Sequence, residues 1–214
     1  MTEPSQTGTI VVSGTGRVAV EPDVAELRLG VAISRETVAE ARSEAAATMS
    51  AILAAIREAG VAERDIRTAM LSVQPRYDYR DGQAPALAGY DLSNVVEVTV
   101  RELAAVGDVI DGSLRAGATS LDGLAFQVAE PSAPEAAART AAVADARAKA
   151  EVLAAAAGIR IAGVADIVEG GAPPSFPLAK AARMSLAADS GTPVAAGTTD
   201  VVVTVTVTFR IAAG

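Results

Sequence analysis

DVAELRLGVAISRETVAEARSEAAATMSAILAAIREAG, residues 23–60, changes its hydrophobic period partway along, and that change decides the fold class. Ala25, Leu27, Leu29, Val31 and Ile33 alternate with Val24, Glu26, Arg28 and Gly30, the period of two of a strand with one face on a core. From residue 37 the apolar positions move to steps of three and four: Val38, Ala41, Ala45, Met49, Ile52 and Ile56. That spacing lines one face of a helix over 37–59. Thr37 and Glu40 have the spacing of a capping box, and Gly60 stands where a left-handed C-cap belongs. A strand that runs straight into a long amphipathic helix is the opening of an α+β domain.

Working outward, Ile10 to Val12 is a first apolar stretch, and Pro22-Asp23 marks a turn into the strand over 23–33. Strands are expected at 66–74 and 92–101, then a shorter helix over 103–116 that buries Leu103, Val106, Ile110 and Leu114 and stops at Gly117. A strand over 121–129 leads to Ser132-Ala133-Pro134-Glu135, read as a capping box with proline in the first helical turn. The helix that follows runs to Ala157, with Val143, Ala146, Ala150, Leu153 and Ala157 as its expected buried stripe. Strands at 162–169 and 200–211 close the chain. In the last of these Val201, Val203, Val205, Val207, Phe209 and Ile211 share one face.

The expected architecture is therefore an antiparallel or mixed sheet with two long helices and one shorter helix packed on one face. The order of elements admits a βαββ repeat, 23–101 followed by 121–211. One domain over 9–212 is expected, with halves at 9–102 and 103–212 and a flexible tail at 1–8. Two long connections, 75–92 and 170–197, hold equivalent places in the two halves.

Composition narrows the chemistry. The 214 residues include no Cys and no His, which removes thiolate nucleophiles, thiolate or imidazole metal ligands, and the usual general base near neutral pH. No catalytic, cofactor or metal residue is singled out, and the reading is of a protein that is not an enzyme. Net charge is −8 without a dense basic run, so a nucleic-acid partner is not expected. No apolar stretch approaches the ~20 residues of a membrane span. The first residues carry neither a charged nor an apolar leader segment, which reads as cytoplasmic for the chain as written.

Three motifs compete with simpler explanations. Gly14-Thr15-Gly16-Arg17-Val18-Ala19 has the GxGxxA form of a dinucleotide-binding turn, but a strand follows it where that turn needs a helix N-terminus. A glycine-rich bulge or kink is the expectation there. The stretch 75–92 holds all three tyrosines, Tyr77, Tyr79 and Tyr90, with Arg76, Arg80, Asp78, Asp81 and Asp91. Tyr and Arg carry much of the energy at protein contacts. Arg76, Tyr77, Tyr79, Arg80 and Tyr90, with Phe176 from the second connection, are the candidate interaction residues. The simpler reading of 75–92 is a long hairpin with solvated charges, and a further one pairs Asp78, Asp81 or Asp91 with Tyr90 in an acid-based site. Gly117 to Gly123 reads as a chain reversal before a phosphate-binding nest.

Taken in order, several of these segments resemble the SIMPL-domain family. The resemblance rests on Val12-Ser13-Gly14-Thr15-Gly16 with Pro22-Asp23, Glu40-Ala41, Asp65-Ile66-Arg67-Thr68, Pro75 with Tyr77, and Gly89-Tyr90 with Asn94. Gly117-Ala118 with Leu124-Ala125-Phe126, Lys149-Ala150, Ala157-Gly158 and the final Val-Thr-rich strand extend it across 9–212. The resemblance implies no catalytic residues. It implies a bacterial homo-oligomer, in some relatives ring-like, with links to stress defence, to the cell envelope and to unidentified protein partners. It also implies a periplasmic or cell-surface location if a signal has been removed. A small-ligand-binding module that uses 75–92 is the alternative function.

Overall fold

In the computed structural model, residues 8–79, 84–170 and 192–213 are described. They contain seven strands in two antiparallel sheets and three α-helices, the α+β class expected from the periodicities. Arg80, Asp81, Phe176 and most of the connection 170–197 lie outside the described residues. The described residues form two compact units, one from 8–21, 130–170 and 197–213, the other from 22–79, 84–129 and 192–196.

The second of these holds β2 (Val24–Arg35), α1 (Val38–Glu58), β3 (Ile66–Asp78), β4 (Ala86–Val100), α2 (Val106–Arg115) and β5 (Ser120–Gln127). Its sheet runs β3-β4-β2-β5. The alternating residues of β2 lie against those of β4, with Leu27 opposite Val98 and Leu29 opposite Val96, all four buried. α1 closes that face with Ala41, Ala45, Met49, Ile52 and Ile56, the stripe read from the sequence. Thr37 and Glu40 form the reciprocal capping box, and Gly60 at φ 91° ends the helix. α2 packs against α1 and buries Val106, Val109, Ile110 and Ser113; Leu114, expected in that stripe, is half exposed. Ser113 gives its hydroxyl proton to the Val109 carbonyl, which is how a polar residue stays buried there.

The other unit holds β1 (Thr9–Val20), α3 (Ser132–Ala156), β6 (Ile159–Glu169) and β7 (Thr199–Ala213), with strand order β1-β7-β6. Val203, Val205, Val207 and Phe209 of β7 meet Ala138, Ala142, Ala146 and Ala150 of α3. The buried stripe is thus alanine at every fourth position, with Ala154 continuing it. Leu153 and Val152 stand out in solvent, which corrects the stripe expected from the sequence. No side chain caps α3: Pro131 is its N-cap and Ser132 its first residue, so the Ser132–Glu135 capping box does not form.

The glycines of β1 explain the alanines. β1 pairs with β7 through an unbroken register, so the bulge expected at Gly14 and Gly16 is absent. A Cβ on Gly14 would overlap the Ala142 carbonyl oxygen and lie 2.6 Å from the Ala146 nitrogen. One on Gly16 would overlap the Ala138 carbonyl oxygen and lie 2.6 Å from the Ala142 nitrogen. Two glycines and a row of alanines let helix and strand backbones touch, and that contact replaces the aromatic residues this chain lacks.

The repeat expected over 121–211 does not form as read, because β5 pairs with β2. A like strand order arises instead with β1, which is not adjacent to α3 in the chain. β2-α1-β3-β4 pairs in the order β3-β4-β2, and β1-α3-β6-β7 pairs in the order β6-β7-β1.

Candidate interaction surface

Much of the connection expected at 75–92 is strand. β3 continues to Asp78 and β4 begins at Ala86, so Pro75 lies opposite Tyr90, Arg76 opposite Gly89 and Tyr77 opposite Leu87. Proline is tolerated here because β3 is an edge strand and has no ladder to serve on its outer side. Gly89 is required twice over: its φ is 141°, and a Cβ would sit 2.5 Å from the Arg35 carbonyl oxygen.

Residues opposite one another share a sheet face. On the face carrying α1, the row Val31, Asn94, Leu71 and the row Ile33, Leu92, Val73 run outward to β3. α1 lies over β2 and β4. Beyond it Leu71, Val73, Tyr77 and Leu87 remain exposed, Leu71 at 66%. Asn94, paired with Leu71, has a buried Oδ1 that meets no donor among the described residues. Tyr79 is 76% exposed and Tyr90 is half-buried.

The opposite face of the sheet carries paired charges beside the buried Val95 and the half-exposed Met70. Glu97 receives Arg67 Nε at 3.0 Å and Arg28 Nη2 at 3.2 Å. Asp65 receives a two-pronged contact from Arg101, with Nη2 at 2.8 Å and Nε at 3.1 Å. Arg76 reaches the Ala88 carbonyl at 3.4 Å and stands 3.8 Å from Asp91, whose Oδ1 accepts from the Ser34 hydroxyl at 2.6 Å. The structure thus brings Arg76, Tyr77 and Tyr90 onto one hairpin. Asp91 is tied to its neighbours on the sheet through Ser34 and Arg76. Among the described residues no group of three or more acidic side chains is arranged to hold a metal ion.

The Arg67 guanidinium bonded to Glu97, aided by Arg28, holds that carboxyl below its ordinary value; Arg101 does the same for Asp65. A carboxyl whose folded value is depressed contributes stability above its unfolded value, near ~4, and loses it as pH falls through the folded one. The urea midpoint should therefore be flat from neutral pH down to about 5 and fall below ~4. Glu97→Gln should flatten the acid limb, and an unchanged limb in that variant would show that Glu97 does not contribute.

Leu71, Val73 and Leu87 were not among the candidates read from the sequence. The strand expected at 66–74 contains two of them, but nothing in the pattern says that the helix stops one strand short.

The chain matches the family model SIMPL, described as a protein of unknown function (DUF541), over residues 10–209, and it belongs to that family. It is 36% identical over 215 residues to the 26 kDa periplasmic immunogenic protein of Brucella melitensis biotype 1, covering 97% of this chain and 86% of that protein. It is also 36% identical over 145 residues to the uncharacterized protein YggE of Escherichia coli K12, covering 68% of this chain and 58% of that protein. YggE of Edwardsiella ictaluri is 30% identical over 158 residues. No described helix is long and apolar enough to cross a membrane, which leaves membrane β-barrels unaddressed.

Proposed function

We propose that this chain is a non-enzymatic assembly protein whose copies associate through the outer edge of β3. The observation that carries the reading is the apolar row Leu71, Val73, Tyr77 and Leu87 on an edge strand, on the face where α1 does not reach. A long apolar edge left bare in solution invites uncontrolled pairing, so a protein that keeps one covers it with a partner. Tyr77 and Tyr79 add area at low entropic cost. The relative named as a periplasmic protein supports the periplasm as the compartment for this chain.

Light scattering on a sizing column tests the proposal. The wild-type protein should elute as a species of several subunits, and Leu71→Glu combined with Tyr77→Glu should shift it to the monomer mass with an unchanged circular dichroism spectrum. A wild-type monomer at all accessible concentrations would overturn the reading.

A further inference from the structure

The outer edge of β1 lies beside α3, and the two enclose a second, different surface. The bond from the Ile211 N–H to the Gly8 carbonyl sets the phase of the β1–β7 ladder, so even-numbered residues of β1 face β7. The odd ones, among them Thr9, Val11, Ser13 and Thr15, turn their backbone groups outward. Halfway along, α3 closes this edge. The Thr15 N–H donates to Asp145 Oδ2 at 2.8 Å, and Lys149 Nζ donates to the Ser13 carbonyl at 3.0 Å and to Asp145 at 2.6 Å. Toward the start of the strand the closure ends. The outward N–H and C=O of Val11 and the N–H of Ser13 meet no acceptor or donor among the described residues.

Next to those open groups is an apolar concavity of about 540 Å³ lined by Val12, Ser13, Ala148, Lys149, Val152 and Leu153. Val152 is 70% exposed and Leu153 half exposed, on a helix whose other face is fully packed.

We infer that this groove takes an extended peptide with aliphatic side chains at alternate positions, added to β1 as a fourth strand of the β1-β7-β6 sheet. The backbone of such a peptide pairs with Val11 and the Ser13 N–H, and every second side chain enters the groove against Val152 and Leu153. Lys149 has three N–H donors and uses two, so the third can meet a peptide carbonyl where the open edge ends. The open backbone decides against other occupants. An acyl chain has nothing to bond to it, and a docking helix already satisfies its own backbone internally. The inference concerns a different surface from the β3 edge and does not depend on it.

The probe is a set of fluorescein-labelled peptides of about six residues, the usual strand length, with Val or Leu alternating with Thr and Lys at the ends for solubility. Anisotropy should report saturable binding, and hydrogen exchange should slow at the Val11 and Ser13 amides when peptide is bound. Val11→Pro removes an N–H that serves no ladder bond, and Leu153→Glu places a charge in the groove from an exposed position that folding does not need. Each should weaken binding by about tenfold or more, while Val168→Glu on β6 should leave it unchanged. No saturation by about 1 mM, or binding indifferent to both groove variants, would overturn the inference. So would loss in Val168→Glu alone, which would move the added strand to β6. Saturable binding of dodecanoate that survives Val11→Pro, with no peptide bound, would identify an acyl groove instead.

Discussion

Gly16→Val is expected to abolish the fold of the β1-β7-β6 unit, at a cost of about 4 kcal/mol or more. The added Cβ would overlap the Ala138 carbonyl oxygen, and backbone cannot move aside as the end of a flexible side chain can. Relief requires lifting α3 from β1, which would open the contact between the alanine row and Val203, Val205 and Val207 along its length. Gly14→Val should behave alike, since its neighbours are also backbone atoms of α3. Gly123→Ala is the control: a Cβ there meets nothing within 4 Å, and the change should stay within about 0.5 kcal/mol. Urea unfolding followed by circular dichroism measures all three, and a Gly16→Val protein with wild-type stability would refute the close-contact account.

The second unit should respond in the opposite sense, because its core is built from large aliphatic side chains. Leu29→Ala should cost about 2–5 kcal/mol, the loss of burial plus the cavity left in a cluster that includes Met49, Ile52 and Val96. Leu29 is fully buried, so no water enters to offset the loss. Leu29→Met, which keeps the volume, should cost less than about 1.5 kcal/mol. Equal melting temperatures for the alanine and methionine variants would show that the packing around Leu29 is looser than described.

The period change over 23–60 was enough to place β2, α1 and both caps, because those features depend only on neighbours along the chain. Partner choice is different. The alternation in β2 and β7 says that each has a buried face, but not that they belong to separate sheets, nor that β5 joins β2 while β1 joins β7. The helix α3 misled for a related reason. Leu153 is more hydrophobic than Ala154, yet the glycine-bearing strand beneath admits only alanine, so sterics outrank hydrophobicity there. Pro75 and Gly89 read as loop residues and are strand residues, the first because its strand is an edge and the second because Arg35 approaches it. Tyr77 and Tyr79, beside the proposed surface, stood out from residue type alone, whereas Arg76 lies on the other face of the hairpin. The apolar row beside those tyrosines did not, since exposure depends on where α1 ends. Arg80 and Phe176 fall outside the described residues.

One consequence of the strand order concerns the chain as it is made. β7 is the middle strand of its sheet, so β1 has no strand to pair with until β7, which follows every other strand and helix described, has been made. The strands and helices of the β3-β4-β2-β5 unit all lie between β1 and α3 in the chain and are synthesised in that interval. Maturation is thus ordered by translation: a nascent chain arrested before β7 would carry one finished body and one waiting strand. The open edge and glycines of that waiting strand are what a holdase would meet first.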